Sequence, residues 1–178
     1  MSGFRIADGE TVDDLLGTLA GQILAEAGSD LHLVGIRRRG VPLMKRVRSK
    51  MEVRIDDEVS SDELVLKRYA DDLSVLHDQP ELKEDPDLDV DGRRVLLVDD
   101  VLFTGRTMWT AVNVVREFGA SQVFTATLCS RGGNDVPLSG QFVGLQLDVC
   151  KGNVIEVHIP PYEEETEVVL YHEEDLSQ

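Results

Sequence analysis

Val95-Leu96-Leu97-Val98-Asp99-Asp100-Val101-Leu102-Phe103-Thr104-Gly105-Arg106-Thr107 is the stretch from which the fold can be read. Its first part, with Arg94 before it, is an almost wholly apolar run, the pattern of a strand buried on both faces of a parallel sheet. That strand delivers Asp99 and Asp100 to its carboxyl end, where open α/β sheets bind ligands. A turn holding Thr104, Gly105, Arg106 and Thr107 follows, and a helix is predicted over residues 107–118, with Gly119 as its stop signal. Backbone N–H groups at a helix N-terminus, backed by the helix dipole, attract anions. Gly105 lets the backbone come close to a phosphate, and the two threonine hydroxyls add donors. Asp99 and Asp100, a few residues away, suit the paired hydroxyls of a ribose. The segment reads as a holder for ribose 5-phosphate.

Other proteins also end a strand in two aspartates. Nucleoside triphosphatases need a G-x-x-x-x-G-K-[ST] loop, which this chain lacks. A phospho-accepting regulator, or a purely structural Asp-Asp pair, stays open on these residues alone.

Outward from that centre, strand and helix alternate. Helices are predicted over 12–27, with Thr11-x-x-Asp14 as a cap, and over 41–51, with Pro42 tolerated in the first turn. Strands are predicted at 31–36, 63–69, 123–128, 142–145, 154–159 and 168–171. From Ala70 to Gly92 apolar periodicity vanishes, and the composition is that of a long loop. The fold class implied is α/β, a mainly parallel central sheet flanked by helices.

The chain has 178 residues and 42% apolar content, enough for one domain spanning 1–178 with a sizeable core. It has no run long enough to cross a membrane and no signal-peptide pattern at Met1–Arg5. Cys129 and Cys150, without CxxC spacing, read as reduced core-filling thiols, which points to the cytoplasm. His32, His77, His158 and His172 lack metal-ligand spacing and read as surface or strand residues. Trp109 reads as core, and the acidic stretch from Glu163 to Asp175 as a solvated end.

The net charge of −16 disfavours non-specific contact with nucleic acid. Against that background, Arg37, Arg38, Arg39, Lys45, Arg46, Arg48 and Lys50 form an island of seven basic residues with no acid among them. The island needs an anionic partner or a structural reason. At its start, Gly35 to Gly40 offers guanidinium forks and a glycine-bounded turn, which match the oxygens of a pyrophosphate.

The 95–107 segment resembles the phosphoribosyl pyrophosphate (PRPP) motif of type I phosphoribosyltransferases: four apolar residues, two acids, three variable positions, then Thr-Gly. LVGIRRRG (33–40), YADDLS (69–74), VLLVDDVLFTGRT (95–107) and SRGGNDVPL (130–138) fall in the order and spacing of the PyrR family. That family is similar to uracil phosphoribosyltransferases, and some members also bind pyrimidine-operon mRNA. The resemblance implies a type I fold with a flexible lid at about 70–92 and a base-binding hood at about 129–150. It implies a pentosyltransferase of pyrimidine salvage using PRPP, a nucleobase and Mg²⁺, the metal being held mainly through PRPP and not in a protein site. It also implies a homo-oligomer, a dimer or larger.

Residue by residue, the resemblance assigns Asp99, Asp100, Thr104, Gly105, Arg106 and Thr107 to PRPP. Arg37, Arg38, Arg39 and Gly40 fall to the pyrophosphate, and Phe103, Arg131, Val143 and Gly144 to the base. Asp99, Asp100 and Arg39 take the catalytic roles. Phe103 stands where purine-specific members carry an acid, which favours uracil. Ala70, Ser130, Asn134 and Leu145 replace charged family residues, and Ala70, Ser130 and Leu145 suggest a further reading, a PRPP sensor of low turnover. RNA binding is disfavoured by charge and by a first helix without Lys or Arg.

Overall fold

In the computed structural model, which describes residues 3–67, 81–82, 87–133, 135–150 and 152–176, strand and helix alternate as expected. In chain order the elements are β1 (Phe4–Ala7), α1 (Gly9–Ala27), β2 (His32–Ile36), α2 (Gly40–Ile55), β3 (Ser61–Leu64), β4 (Leu66–Lys67) and β5 (Glu81–Leu82). After them come β6 (Arg94–Leu102), α3 (Arg106–Glu117), β7 (Gln122–Ser130), β8 (Phe142–Gln146), β9 (Asn153–His158), β10 (Glu167–His172) and α4 (Glu173–Leu176). The main sheet runs β3-β2-β6-β7-β8, and every neighbouring pair in it is parallel.

Side chains on a strand alternate between faces, and β6 divides two cores on that basis. Leu96 and Val98 pack with Leu16, Leu19 and Ile23 of α1 and Leu43 and Val47 of α2. Val95 and Leu97 pack with Met108, Ala111, Val114 and Val115 of α3. A strand buried on both faces has no polar side to show, which is why 95–98 reads as an uninterrupted apolar run. Each large aliphatic side chain buried in this way contributes about 1.5–3 kcal/mol.

A second, antiparallel sheet, β1-β10-β9, closes the α1 side of the molecule, and its Ile155, Val157 and Val168 join the same core as α1. Strand β1 had no signal in the sequence. Its exposed-to-buried pattern is too short for a period, and its pairing with β10 at Phe4↔Leu170 is long-range.

Several expectations need correction. The cap of α1 is Asp8, whose carboxylate accepts from the Thr11 N–H at 2.9 Å and the Thr11 hydroxyl at 2.7 Å. Thr11 is thus a donor in the first turn and not the cap. The strand predicted at 63–69 divides into β3 and β4, and β4 pairs antiparallel with β5 inside the stretch read as one loop. Cys129 is buried as expected, but Cys150 is exposed. Trp109, expected in the core, is 37% exposed. The region 129–150, expected as a hood, contributes the end of β7 and all of β8 to the main sheet. Residues 70–80 and 83–86 of the expected lid, with Ala70 and His77 among them, lie outside the described residues, as does Asn134.

Burial, and secondarily the Asp100 charge, push the Cys129 thiol up to about 12. A thiol that ionises so reluctantly is a poor nucleophile at neutral pH. Ellman's reagent at pH 8 is therefore expected to modify one thiol per native chain, Cys150, and both in denaturant. Rapid modification of both in native protein would contradict the packing around β7.

Candidate active site

The order of the main sheet locates its ligand crevice. From β2 the chain passes through α2 to β3 on one side; from β6 it passes through α3 to β7 on the other. Connections that leave two adjacent strands in opposite directions open a crevice at their carboxyl ends. The turn after β2 is Arg37–Arg39, and β6 ends in Asp99–Leu102. The two segments singled out in the sequence therefore meet, although about sixty residues separate them. Strand β6 runs four residues beyond the apolar stretch that announced it, so Asp99 and Asp100 are strand residues and the turn begins at Phe103.

A cleft of ≈ 340 Å³ lies at this point, lined by Arg37, Arg38, Arg39, Leu66, Asp99, Asp100 and Thr107. Asp99 is 8% exposed, and its Oδ1 accepts the Asp100 N–H at 3.0 Å. Gly40 is what allows the arginine turn to lie against the carboxylates. A Cβ there would stand 2.5 Å from the Val98 carbonyl oxygen and 3.3 Å from Asp99 Oδ1. Beyond bounding the arginine turn, its lack of a side chain brings two strand ends into contact.

Two helices begin at the crevice, α2 after Arg39 and α3 after Gly105, and neither has a side-chain cap or an acid in its first turn. Helix α1 begins elsewhere and has both Asp8 and Glu10. The first N–H groups of any helix lack intrahelical partners, so α2 and α3 direct donors and positive dipole ends toward the crevice. Gly105 holds φ +81°, the left-handed conformation that glycine adopts at little cost. Arg106 pairs with Asp135 at 3.2 Å, and the Thr104 carbonyl accepts the Asp135 N–H at 2.9 Å, so the loop after β7 braces the turn.

Of the base-side candidates, Phe103 and Arg131 come together. The guanidinium of Arg131 stacks over the Phe103 ring at 4.0 Å and donates to the Asn153 carbonyl at 3.2 Å. Phe103 is 48% exposed, so a planar surface remains accessible there. Val143 and Gly144 sit on β8, where a Gly144 Cβ would meet the Leu128 carbonyl at 2.8 Å. Among the described residues no hydrogen bond, ion pair or ring contact joins Val143 or Gly144 to the Phe103–Arg131 pair.

The basic island finds its partners within the chain. Arg37 and Lys45 share Glu63 at 2.8 and 3.1 Å, Lys50 pairs with Asp13 at 2.7 Å, and Arg48 meets Glu52 at 3.4 Å. Arg46 donates to the Thr166 hydroxyl at 3.0 Å, and Arg39 pairs with Glu163 at 2.6 Å. Arg38 lies over the Tyr162 ring at 4.9 Å. Glu163 is therefore paired with an arginine that lines the cleft and is not part of a solvated end. Nothing in its local sequence marked it, because its partner lies more than a hundred residues away.

Two of the histidines, His32 and His158, fit structural roles. His32 bridges Ser60 at 2.8 Å and Asp62 at 3.0 Å, at the opposite pole of the sheet, and His158 lies between Glu156 and Glu167. Among the described residues no three or more His, Cys, Asp or Glu gather around a common point. The donors at the cleft are hard carboxylate oxygens, which suit a magnesium ion completed by phosphate oxygens and water.

The glycine geometry yields a matched pair of variants. Gly40→Ala forces a methyl against backbone and is expected to lose about 1–3 kcal/mol in urea unfolding. Gly21→Ala, in the interior of α1 with nothing within 4 Å of its Cβ, is expected to gain about 0.5–1 kcal/mol.

Comparison with known proteins agrees with this architecture. Residues 5–165 match the family model described as Phosphoribosyl transferase domain. Bifunctional protein PyrR of Elusimicrobium minutum is 34% identical over 169 residues, covering 93% of this chain and 94% of that one. Bifunctional protein PyrR of Trichormus variabilis is 36% identical over 162 residues, covering 89% and 90%. Among solved structures, a hypoxanthine phosphoribosyl transferase of Trypanosoma cruzi superposes with TM-score 0.78 at 16% identity, covering 98% and 93%. A hypoxanthine-guanine phosphoribosyltransferase of Bacillus anthracis gives 0.74 at 15%, covering 93% and 96%; at such identities the likeness concerns the fold alone. With the crevice at the β2/β6 switch point, the Asp-Asp strand end and relatives aligned over most of its length, this chain belongs to the type I phosphoribosyltransferase family, among its PyrR-like pentosyltransferases.

Proposed function

We propose that the protein transfers ribose 5-phosphate from PRPP to N1 of uracil, releasing UMP and pyrophosphate. The observation that carries this reading is the meeting of three arginines, two aspartates and two uncapped helix N-termini at one cleft. The donor has the complementary layout: a pyrophosphate on one side, a ribose in the middle, a 5-phosphate on the other.

In the proposed arrangement, the turn from Thr104 to Thr107 and the N-terminus of α3 hold the 5-phosphate. Asp99 and Asp100 orient the ribose hydroxyls and stabilise positive character at C1. Arg37, Arg38 and Arg39, with the N-terminus of α2 beginning at Gly40, receive the pyrophosphate. The uracil N1 lone pair forms the new bond to C1 as the C1–O pair departs with pyrophosphate, and the N1 proton is released. Bound magnesium, held by the donor's oxygens with help from Asp99 and Asp100, would neutralise charge on the leaving group. The contribution of the chain is positioning and fixed charge.

Uracil is favoured over a purine by Phe103, which has no proton to exchange with a purine N7. The Phe103–Arg131 stack supports a planar base beside it, with Val143 and Gly144 proposed to read its edge through backbone groups. An RNA-binding role gains no support from the basic island, since Lys45, Arg48 and Lys50 face carboxylates of the same chain and Arg46 a threonine hydroxyl. Assembly into a dimer or larger follows the family resemblance and is part of the proposal.

Incubation of the pure protein with PRPP, magnesium and a panel of bases tests the reaction, with UMP from uracil as the expected product. Nucleotide formed only from a purine would overturn the base assignment, and none from any base would overturn the reaction. Asp100→Asn removes a charge placed to stabilise the cationic centre, and turnover is expected to fall on the order of 100-fold.

A further inference from the structure

We infer that Glu163, on the turn between β9 and β10, is a positioning residue that aims Arg39 at the leaving pyrophosphate. The inference rests on the reading of Arg37–Gly40 as the pyrophosphate turn and adds a residue that no part of that turn supplies.

The carboxylate of Glu163 is held at both ends. Its Oε1 accepts from Arg39 Nε at 3.2 Å and from Nη2 at 2.6 Å, the side-on fork of a guanidinium. Its Oε2 accepts the Ile159 N–H at 2.9 Å, so the backbone of its own turn anchors it. Pairing with Arg39 and with the Ile159 N–H holds the carboxyl below its usual range against the opposing effect of burial, so it is ionised at neutral pH. One edge of the Arg39 fork is thus occupied by a fixed anion. Its Nη1, which makes no hydrogen bond among the described residues, belongs to the other edge, and the side chain lines the cleft with Asp99 and Asp100. Neighbouring Tyr162 lies against Arg38 at 4.9 Å, so this one turn engages two of the three arginines.

Two roles with opposite signs are conceivable for such a carboxylate. A competitor that must leave before pyrophosphate binds would lower affinity for a polyanion. A holder that pre-orients the guanidinium would raise it by sparing the side chain the entropy of ordering on binding. The backbone anchor on Oε2 favours the holder, because a carboxylate fixed to its own turn is not arranged to swing away. The two roles separate cleanly, since removing a negative charge from beside a polyanion site should by itself tighten binding. Looser binding after its removal can come only from lost positioning.

The test is a double-mutant cycle of Glu163→Gln and Arg39→Lys, read by calorimetry with magnesium and either PRPP or pyrophosphate, and by steady-state kinetics. Glutamine keeps an acceptor for the Ile159 N–H while losing the charge. Glu163→Gln is expected to weaken both ligands about ten-fold and to raise the KM for PRPP without changing the KM for the base. In the Arg39→Lys background the same substitution is expected to change affinity less than two-fold. Unchanged or tighter binding by folded Glu163→Gln, or the same loss in both backgrounds, would overturn the inference. Should Glu163→Gln fail to fold, Glu163→Asp, which keeps the charge but draws it back by a methylene, is read by the same criteria. Wild-type protein that binds neither ligand would remove the parent reading and this inference together. Wild-type binding with an indifferent Glu163→Gln removes this one alone.

Discussion

Gly40 lies where the first residue of α2 passes over the end of β6, close enough that a single methyl would collide with the Val98 carbonyl oxygen. That contact sets the distance between the arginine turn and the two aspartates, and the crevice depends on it. Behind it, Gly35 repeats the requirement, since a Cβ there would meet the Val41 backbone at 2.8 Å. Two close backbone approaches, spaced five residues apart in one strand and turn, let opposite charges meet from different strands while the sheet stays fully paired.

Charge is distributed around this crevice in a consistent way. A chain of net charge −16 has acids to place almost anywhere, yet none falls in the first turn of α2 or α3. Helix α1, which starts away from the crevice, has both an acidic cap and an acid in its first turn. The macrodipoles of α2 and α3 are therefore left to act on what enters the cleft. The basic island is balanced by Glu52 of α2 itself and by Asp13, Glu63 and Glu163 drawn from three other parts of the chain. Such pairing fixes the direction of long side chains more than it adds stability, since exposed ion pairs contribute little net energy. In the proposed reaction direction is what matters, because a pyrophosphate departing from a cationic carbon must be met by donors already in place.

The antiparallel sheet of β1, β9 and β10 gives the C-terminal part of the chain a role beyond covering α1. Its β9–β10 turn carries Tyr162 and Glu163 to the arginines. A segment rich in glutamate looks solvated when charge density alone is read. One member of it is directed inward because the strands on either side are in register, with Glu167 opposite His158.

Local information determined the part of this protein that depends on neighbours in sequence. The apolar run at 95–98, the Asp-Asp pair and the Thr-Gly turn specify a buried strand, a ligand-bearing strand end and a helix start, because strand burial and helix polarity act over a few residues. The spacing of apolar residues likewise announced α1, α2 and α3 to within a few positions. Tertiary structure alone decided that β1 exists, that β8 completes the main sheet, that Cys150 faces solvent, and that Asp8 caps α1 in place of Thr11. It alone joined Arg39 to Glu163 and Phe103 to Arg131. Those outcomes rest on pairings between distant segments, and side-chain chemistry says which partners are compatible without saying which of many acids or rings the folded chain brings within reach.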